Sequence, residues 1–190
     1  MRLFSVVLCL AVTLSTAAVA SDWLNPDVAY SGTRTLRIGD QEVTGQIHYD
    51  HGNERFEWTL LGARQISLRR VDKGLFYMID PQMGMGMEME LTRRNAMPGA
   101  EHYADLRSEG LGQESLYGEN VTKYRLIDDS GRETNTVLAW VTEDGIALRL
   151  QVIGPKGHFE TTLTNLERGP QPAELFELPE GIQVVPAPKR

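Results

Sequence analysis

From residue 28 onward the chain alternates apolar and polar positions with a period of two, which is the pattern of half-buried β-strands. The clearest run, R-F-E-W-T-L-L at 55–61, places Phe56, Trp58 and Leu60 on one face. Turn sequences rich in Gly, Asp, Asn and Pro separate such runs at intervals close to those of a meander. The pattern therefore predicts about ten antiparallel strands.

The predicted strands are consistent with one fold class. No strand alternates with a helix, which excludes a doubly wound nucleotide-binding fold. A large antiparallel sheet tends to curl into a barrel or half-barrel. Between residues 92 and 112 the alternation fails, and A-E-H-Y-A-D-L-R-S-E predicts a short helical insertion. Near the C-terminus, A-E-L-F-E-L predicts a turn that buries Leu175 and Phe176, and I-Q-V-V predicts a last strand.

The first twenty residues have the features of a cleaved signal peptide. Arg2 precedes an apolar run, and Ala18-Val19-Ala20 supplies the small residues of a cleavage site. The run is too short for a membrane anchor, which needs about 20 residues. We therefore expect residues 1–20 to be removed and residues 21–190 to form one exported, periplasmic domain with a proline-rich tail and no transmembrane segment.

The amino-acid composition excludes several classes of site and partner. Cys9 is the only cysteine and leaves with the signal peptide, which excludes disulfides, thiolate metal sites and a cysteine nucleophile. Without Arg2, 18 basic residues face 26 acidic ones, so the mature charge is −8. This balance argues against nucleic acid and against electrostatic docking on anionic lipid.

No catalytic constellation is evident in the chain. His48 and His51 fall at a strand end and a turn, and the sequence lacks the spacings of a zinc or calcium site. Ser31 and Ser130 lack the context of a nucleophile elbow. We predict a protein that is not an enzyme and has no cofactor.

The segment Q-M-G-M-G-M-E-M-E-L at 82–91 spaces four methionines two residues apart, at Met83, Met85, Met87 and Met89. It follows the strand L-F-Y-M-I-D, so we expect it to be the return strand of a hairpin. Three interpretations stay open: the methionines line a cavity for an apolar ligand, pack in an ordinary core, or bind Cu(I), which prefers soft thioethers.

An ordered series of motifs resembles a known group of periplasmic proteins. The series comprises R-F-E-W, L-F-Y-M-I-D-P with M-E-M-E-L, Y-G-E-N-V-T-K-Y-R-L, A-W-V-T-E-D-G-I-A-L-R-L and L-F-E-L-P-E-G. Its order and spacing, over most of residues 28–185, resemble an uncharacterised branch of the lipoprotein-carrier (LolA/LolB-like) superfamily. The resemblance implies an unclosed β half-barrel and no catalytic residues. Carriers of this superfamily use a specific arginine, for which Arg55, Arg64 and Arg69 are all possible here.

The resemblance also implies a function. Members hold acyl chains of lipids or lipoproteins in an apolar cavity, as carriers or as sensors that regulate a partner. We therefore expect non-catalytic binding of a lipid, lipoprotein acyl chain or other hydrophobic ligand in the concave face. The first alternative is a regulatory module that contacts an envelope protein, and the second is a Cu(I)-binding protein. The residues predicted to line the cavity are Phe56, Trp58, Met78, Met83, Met85, Met87, Met89 and Trp140.

Overall fold

The computed structural model describes residues 26–92, 106–127, 136–155 and 157–187. These ranges contain twelve strands and two short 3₁₀ helices, at Val71–Lys73 and Ala173–Phe176. The strands are β1 (Tyr30–Ile38), β2 (Gln41–Asp50), β3 (Asn53–Leu60), β4 (Ala63–Arg70), β5 (Leu75–Asp80), β6 (Met85–Glu90), β7 (Arg107–Leu116), β8 (Glu119–Ile127), β9 (Thr136–Thr142), β10 (Ala147–Gly154), β11 (Gly157–Arg168) and β12 (Gln183–Pro186).

All twelve strands belong to one sheet with the order β12-β6-β5-β4-β3-β2-β1-β11-β10-β9-β8-β7. Each described ladder is antiparallel except that of β6 and β12, which is parallel. The sheet does not close into a barrel, so the predicted mainly-β half-barrel is confirmed. The strand count exceeds the predicted ten, and the last strand, at 183–186, returns to the edge of the predicted methionine strand.

The two faces of the central strands differ sharply in polarity. On one face, which we call the inner face, buried side chains form a large apolar cluster. Its members on β1, β2 and β3 are Tyr30, Leu36, Ile47, Tyr49 and Phe56. The alternate positions on β1 and β2 are polar and more exposed, among them Thr33, Thr35, Thr44 and Gln46. This alternation defines the inner side of the half-barrel.

At Gly45, strand β3 approaches the backbone of β2 so closely that a side chain has no room. It lies opposite Trp58, whose ring stacks on that of Phe56 with centroids 5.0 Å apart. A Cβ at Gly45 would lie 2.0 Å from the Glu57 carbonyl oxygen and 2.9 Å from the Phe56 ring. No side chain fits there, so the glycine allows the two aromatic rings to pack over the backbone of β2.

The outer face of β4, β5 and β6 is covered by the C-terminal segment. Phe176 is buried against Ile66, Leu68, Tyr77 and Ile79, as the predicted turn at 173–178 requires. Further along the chain, the side chains of Ile182 and Val184 join the same cluster. These strands are therefore packed on the outer face, and their remaining free surface lies on the inner face.

Arginine side chains fix the C-terminal segment to the sheet. Arg55 donates to the Leu175 carbonyl at 3.0 Å, and Arg70 donates to the Phe176 carbonyl. Arg70 also pairs with Glu177 at 2.9 Å, and Lys73 approaches the same carboxylate at 3.3 Å. Hydrogen bonding to Arg70, followed by that to Lys73, lowers the pKa of Glu177.

The predicted helical insertion needs a correction where the structure describes it. β7 begins at Arg107, so the end of the expected helix, 107–109, is strand. Its partner β8 continues to Ile127, and hairpin pairing extends β7 backward beyond the strand expected at 111–117. Leu106 lies in a bend, and the rest of the expected helix, 100–105, lies outside the described residues. Among the described helices, none is long and apolar enough to cross a membrane.

We expect Gly45→Ala to destabilise the fold by about 1–3 kcal/mol, because the added methyl group collides with backbone rather than with a movable side chain. The measurement is urea unfolding followed by tryptophan fluorescence. Gly110→Ala is the matched control, since a Cβ at that strand position meets nothing within 4 Å. A Gly45→Ala variant within about 0.5 kcal/mol of wild type would contradict the close approach.

We expect Glu177→Gln to lower the Tm at pH 7, with the difference shrinking as the pH falls. The folded-state pKa of Glu177 is lowered from 4.5, so its stabilisation is complete above that pH and is lost as the pH falls through the lower folded value. The measurement is Tm against pH for wild type and variant, with Glu174→Gln, in the 3₁₀ helix that precedes Glu177, as control. A difference that stays constant from neutral to strongly acidic pH would show that the pair contributes nothing through its charge.

Candidate functional site

Most of the predicted lining residues meet on the inner face between β3 and β6. One row of ladder partners crosses this region from β3 to β12: Phe56, Ser67, Met78, Met87 and Val185. We call it the apolar row. Because directly paired residues point to the same side of a sheet, these side chains lie next to one another.

The apolar row changes from buried to exposed along its length. Phe56 is 1% exposed and Ser67 is buried, whereas Met87 is 42% and Val185 is 37% exposed. Met85, two residues from Met87 on the same face, is 41% exposed. Met85 and Met87 are therefore not ordinary core residues, and the inner face opens to solvent at this edge of the sheet.

A polar row borders the apolar row on one side. Trp58 pairs with Gln65, whose amide donates to Asp80 at 3.1 Å, and Asp80 pairs with Met85. Asp80 also accepts the backbone N–H groups of Gln82 and Met83, each at 3.0 Å. Hydrogen bonding to Met83 and then to Gln65 lowers the pKa of Asp80, which keeps the carboxylate ionised.

A charged row borders the apolar row on its other side. It contains Glu54, Arg69, Phe76 and Met89, which are ladder partners in that order. Arg34 of β1 pairs with Glu54 at 2.9 Å, and Arg69 approaches the other Glu54 oxygen at 3.8 Å. All three charged side chains are at least nine-tenths buried. These charged groups can be buried together only because the guanidinium groups pair with the carboxylate between them.

The three arginines that are candidates for the carrier arginine lie on different faces of the sheet. Arg69 lies on the inner face, whereas Arg55 and Arg64 lie on the outer face and donate to Glu57. Burial would raise the pKa of Glu57, but the hydrogen bonds from Arg64 and Arg55 outweigh it and lower that pKa. Of these arginines, only Arg69 borders the apolar row.

Two predicted lining residues lie apart from this surface. Met83 is 70% exposed in the turn before β6, outside the ladder. Trp140 lies on β9, eight strands along the sheet order from β6, and its ladder partners are Lys123 and Arg149. Both cations lie over its ring, at 4.6 and 5.0 Å, and its indole N–H donates to Glu114. By ladder register the neighbouring residue Ala139 continues the inner face on β9, while Trp140 belongs to the same buried apolar cluster as Phe56.

A separate cavity of about 720 Å³ lies at the β7–β8 end of the sheet. Its polar lining includes Gln113, Glu114, Asn120, Thr122 and Glu143. It contains none of the predicted lining residues, and its acceptor-rich wall does not suit an acyl chain. Among the described residues, no group of three or more His, Cys, Asp or Glu could hold a metal ion.

Sequence reasoning missed Ser67, Val185 and the charged row. The parity of β4 contains the signal, since Gln65, Ser67 and Arg69 alternate with Ile66 and Leu68. An alternation of this kind indicates a strand with one polar and one apolar face. It does not say that both faces are buried, which follows only once the C-terminal segment is placed.

Comparisons with known proteins agree on the architecture. No protein-family model matches the chain, and no curated protein matches it in sequence. A solved structure of an uncharacterised conserved protein from Thermus thermophilus is similar with a TM-score of 0.61 and 14% identity, covering 88% of this chain and 94% of that one.

The chain is also similar to MucB. Against the Pseudomonas aeruginosa MucA/MucB complex the TM-score is 0.57 and the identity 20%, covering 87% of this chain and 63% of that one. Against MucB alone the TM-score is 0.58 and the identity 19%, covering 90% of this chain and 66% of that one. The chain thus spans about two thirds of the MucB chain. These similarities show that the chain has a LolA-like fold, in which one sheet forms an unclosed half-barrel.

Proposed function

We propose that the inner face between β3 and β6 binds the acyl chain of a lipid or lipoprotein, without catalysis. The observation that carries the proposal is the apolar row, which runs from buried Phe56 to exposed Met87 and Val185. An acyl chain laid along the row would remove the exposed methionine surface from water, at about 25 cal/mol per Å².

The borders of the row support an elongated apolar ligand. Polar side chains narrow the apolar surface on three strands: Glu54 flanks the row on β3, Gln65 and Arg69 flank Ser67 on β4, and Asp80 flanks it on β5. On β6 the surface widens to a strip of three methionines. Methionine suits such a strip, because its flexible and polarizable thioether adapts to chains of different shape. Asp80 and Glu54 are engaged in hydrogen bonds or ion pairs, which leaves them poorly placed to act as acid or base. Binding and release, rather than turnover, is the chemistry this surface offers.

The proposed setting is the periplasm. The signal-peptide pattern at 1–20 supports export, and the fold is shared with envelope proteins. In that setting, a carrier or sensor that shields an acyl chain from water has a physical role, because the chain must cross an aqueous space.

We expect native mass spectrometry of protein isolated from the periplasm to show bound mass in the range of an acyl lipid. Binding is then quantified with palmitate as the probe. Met87→Glu should weaken palmitate binding by at least about tenfold, since it places a carboxylate against the apolar chain. Thr59→Glu adds the same charge on the outer face of β3 and should leave binding unchanged.

Two results would contradict the proposal. One is protein that carries no bound mass and does not bind palmitate. The other is equal weakening by Met87→Glu and Thr59→Glu, which would place the lipid elsewhere. Unfolding curves of both variants show whether the fold is retained.

A second candidate function is recruitment of a protein partner at the β7 edge. β7 is ten residues long, lies at the end of the sheet and pairs only with β8 among the described strands. An exposed edge can accept an added strand from another chain. The structurally similar MucB forms a complex with MucA, which supports a protein partner for this fold.

We expect a photocrosslinking residue placed at Gln113, on β7, to trap a discrete envelope protein in living cells. The same residue at Thr44, on the outer face of β2, is the control because this strand is paired on both sides. Equal adducts at both positions, or none at Gln113, would contradict pairing at the β7 edge.

A further inference from the structure

The methionines of β5 and β6 form a compact group of thioethers. Five of the chain's seven methionines lie between residues 78 and 89. Met78 and Met87 are direct ladder partners on the inner face, and Met85 lies two residues from Met87 on that face. The hairpin thus adds a methionine from the neighbouring strand to those of the 82–91 segment.

Backbone geometry brings the three sulfurs within reach of a common point. Directly opposed residues of an antiparallel pair have Cβ atoms about 4.5–5.5 Å apart. Met85 and Met87 are about 6.6 Å apart along the strand, from a rise of about 3.3 Å per residue. Each methionine side chain has three rotatable bonds, two of which position the sulfur, so three thioethers from this triangle can converge on one ion.

The donor set selects the ion. Thioethers are soft and uncharged, and among biological cations they favour Cu(I) over Zn²⁺, Mg²⁺ or Ca²⁺. No group of three or more His, Cys, Asp or Glu competes among the described residues. The carboxylate of Asp80, which lies opposite Met85, has its oxygens engaged by Gln65 and by the backbone N–H groups of Gln82 and Met83. It can balance the charge of a monovalent ion without coordinating it.

The backbone under the three methionines is fixed, while the sulfurs are accessible. Gly86, between Met85 and Met87, is buried on the outer face, where a Cβ would lie 3.1 Å from Ile182. β6 is paired on both sides, by β5 and β12. Met85 and Met87 are nevertheless 41% and 42% exposed, so an ion can enter and leave from solvent.

We propose that Met78, Met85 and Met87 form a three-thioether site for Cu(I) at the open edge of the inner face. The inference stands apart from acyl-chain binding, because it depends on sulfur and the lipid proposal depends only on apolar surface. Leucine separates the two, since it keeps the apolar volume and removes the donor atom.

The test is an anaerobic competition between the purified protein and bicinchoninate for Cu(I). Wild type should withdraw the metal from the competitor. Met78→Leu/Met85→Leu/Met87→Leu should lose at least about tenfold in affinity. Met83→Leu, in the turn outside the ladder, should bind as wild type does. X-ray absorption of the loaded protein should show only sulfur neighbours, three in number.

Three outcomes would overturn the site: no withdrawal of Cu(I) by wild type, unchanged affinity in the triple leucine variant, or oxygen or nitrogen neighbours in the absorption spectrum. A loss on Met83→Leu equal to that of the triple variant would overturn the assignment of the ligands. Palmitate binding by the triple variant is measured in parallel. Its retention alongside lost Cu(I) binding supports the separate metal site, whereas the absence of palmitate binding from every variant bears on the lipid proposal alone.

Discussion

Shared register across the strands is the constraint on which the candidate surface depends. Side chains alternate between the two faces of a strand, so a slip of one residue would move every inner-face side chain outward. The ladders from β1 through β2, β3, β4, β5 and β6 run without a register shift. The shifts occur in the other half of the sheet, between β1 and β11, β9 and β10, and β7 and β8. The half with unbroken register is therefore the half in which rows of side chains remain continuous over five strands.

The outer and inner faces of strands β1 to β6 are buried by different contacts. On the outer face, Phe176 and its neighbours cover β4 and β5, and Arg55 and Arg70 bind the carbonyls of that segment. On the inner face, the Arg34–Glu54–Arg69 group is buried beside Phe76. A guanidinium that is already tied to a carbonyl or carboxylate can be buried at modest cost. Polar bonds thus hold the sheet on both sides and leave the methionine edge as the part of the inner face that stays open.

Much of this architecture could be predicted from the alternation of apolar and polar residues, because this alternation shows which side chains of one strand share a face. The strand L-F-Y-M-I-D was located to the residue, and Phe56 and Trp58 share the predicted face. The sequence predicts that Trp140 lines the cavity, and its aromatic strand residues indicate an apolar interior without separating core from cavity. Alternation within β9 does not say which of its faces continues that of β3, and only the ladders through β2, β1, β11 and β10 show that Ala139 does so.

Other features depend on contacts between distant segments, which periodicity does not encode. The turn before β6 is longer than the expected Pro81-Gln82, because Asp80 binds the N–H groups of two turn residues and Gly84 adopts a φ of 64°. The burial of the charged row could not be predicted, because it depends on which segment covers each face of the sheet. The expected signal peptide, at 1–20, lies outside the described residues and stays a prediction.

The arrangement of β6 explains why methionine, rather than leucine or valine, occupies this edge. On the outer face, Gly86 lets Ile182 approach the backbone closely, and β12 completes the hydrogen bonding of the strand. The strand is therefore held firmly by its backbone and not by the side chains of its inner face. Those side chains need no fixed packing, so flexible thioethers are tolerated where a core would favour branched residues. A rigid strand with adaptable apolar side chains can shape itself to an exchangeable partner, whether that partner is a hydrocarbon chain or a soft ion.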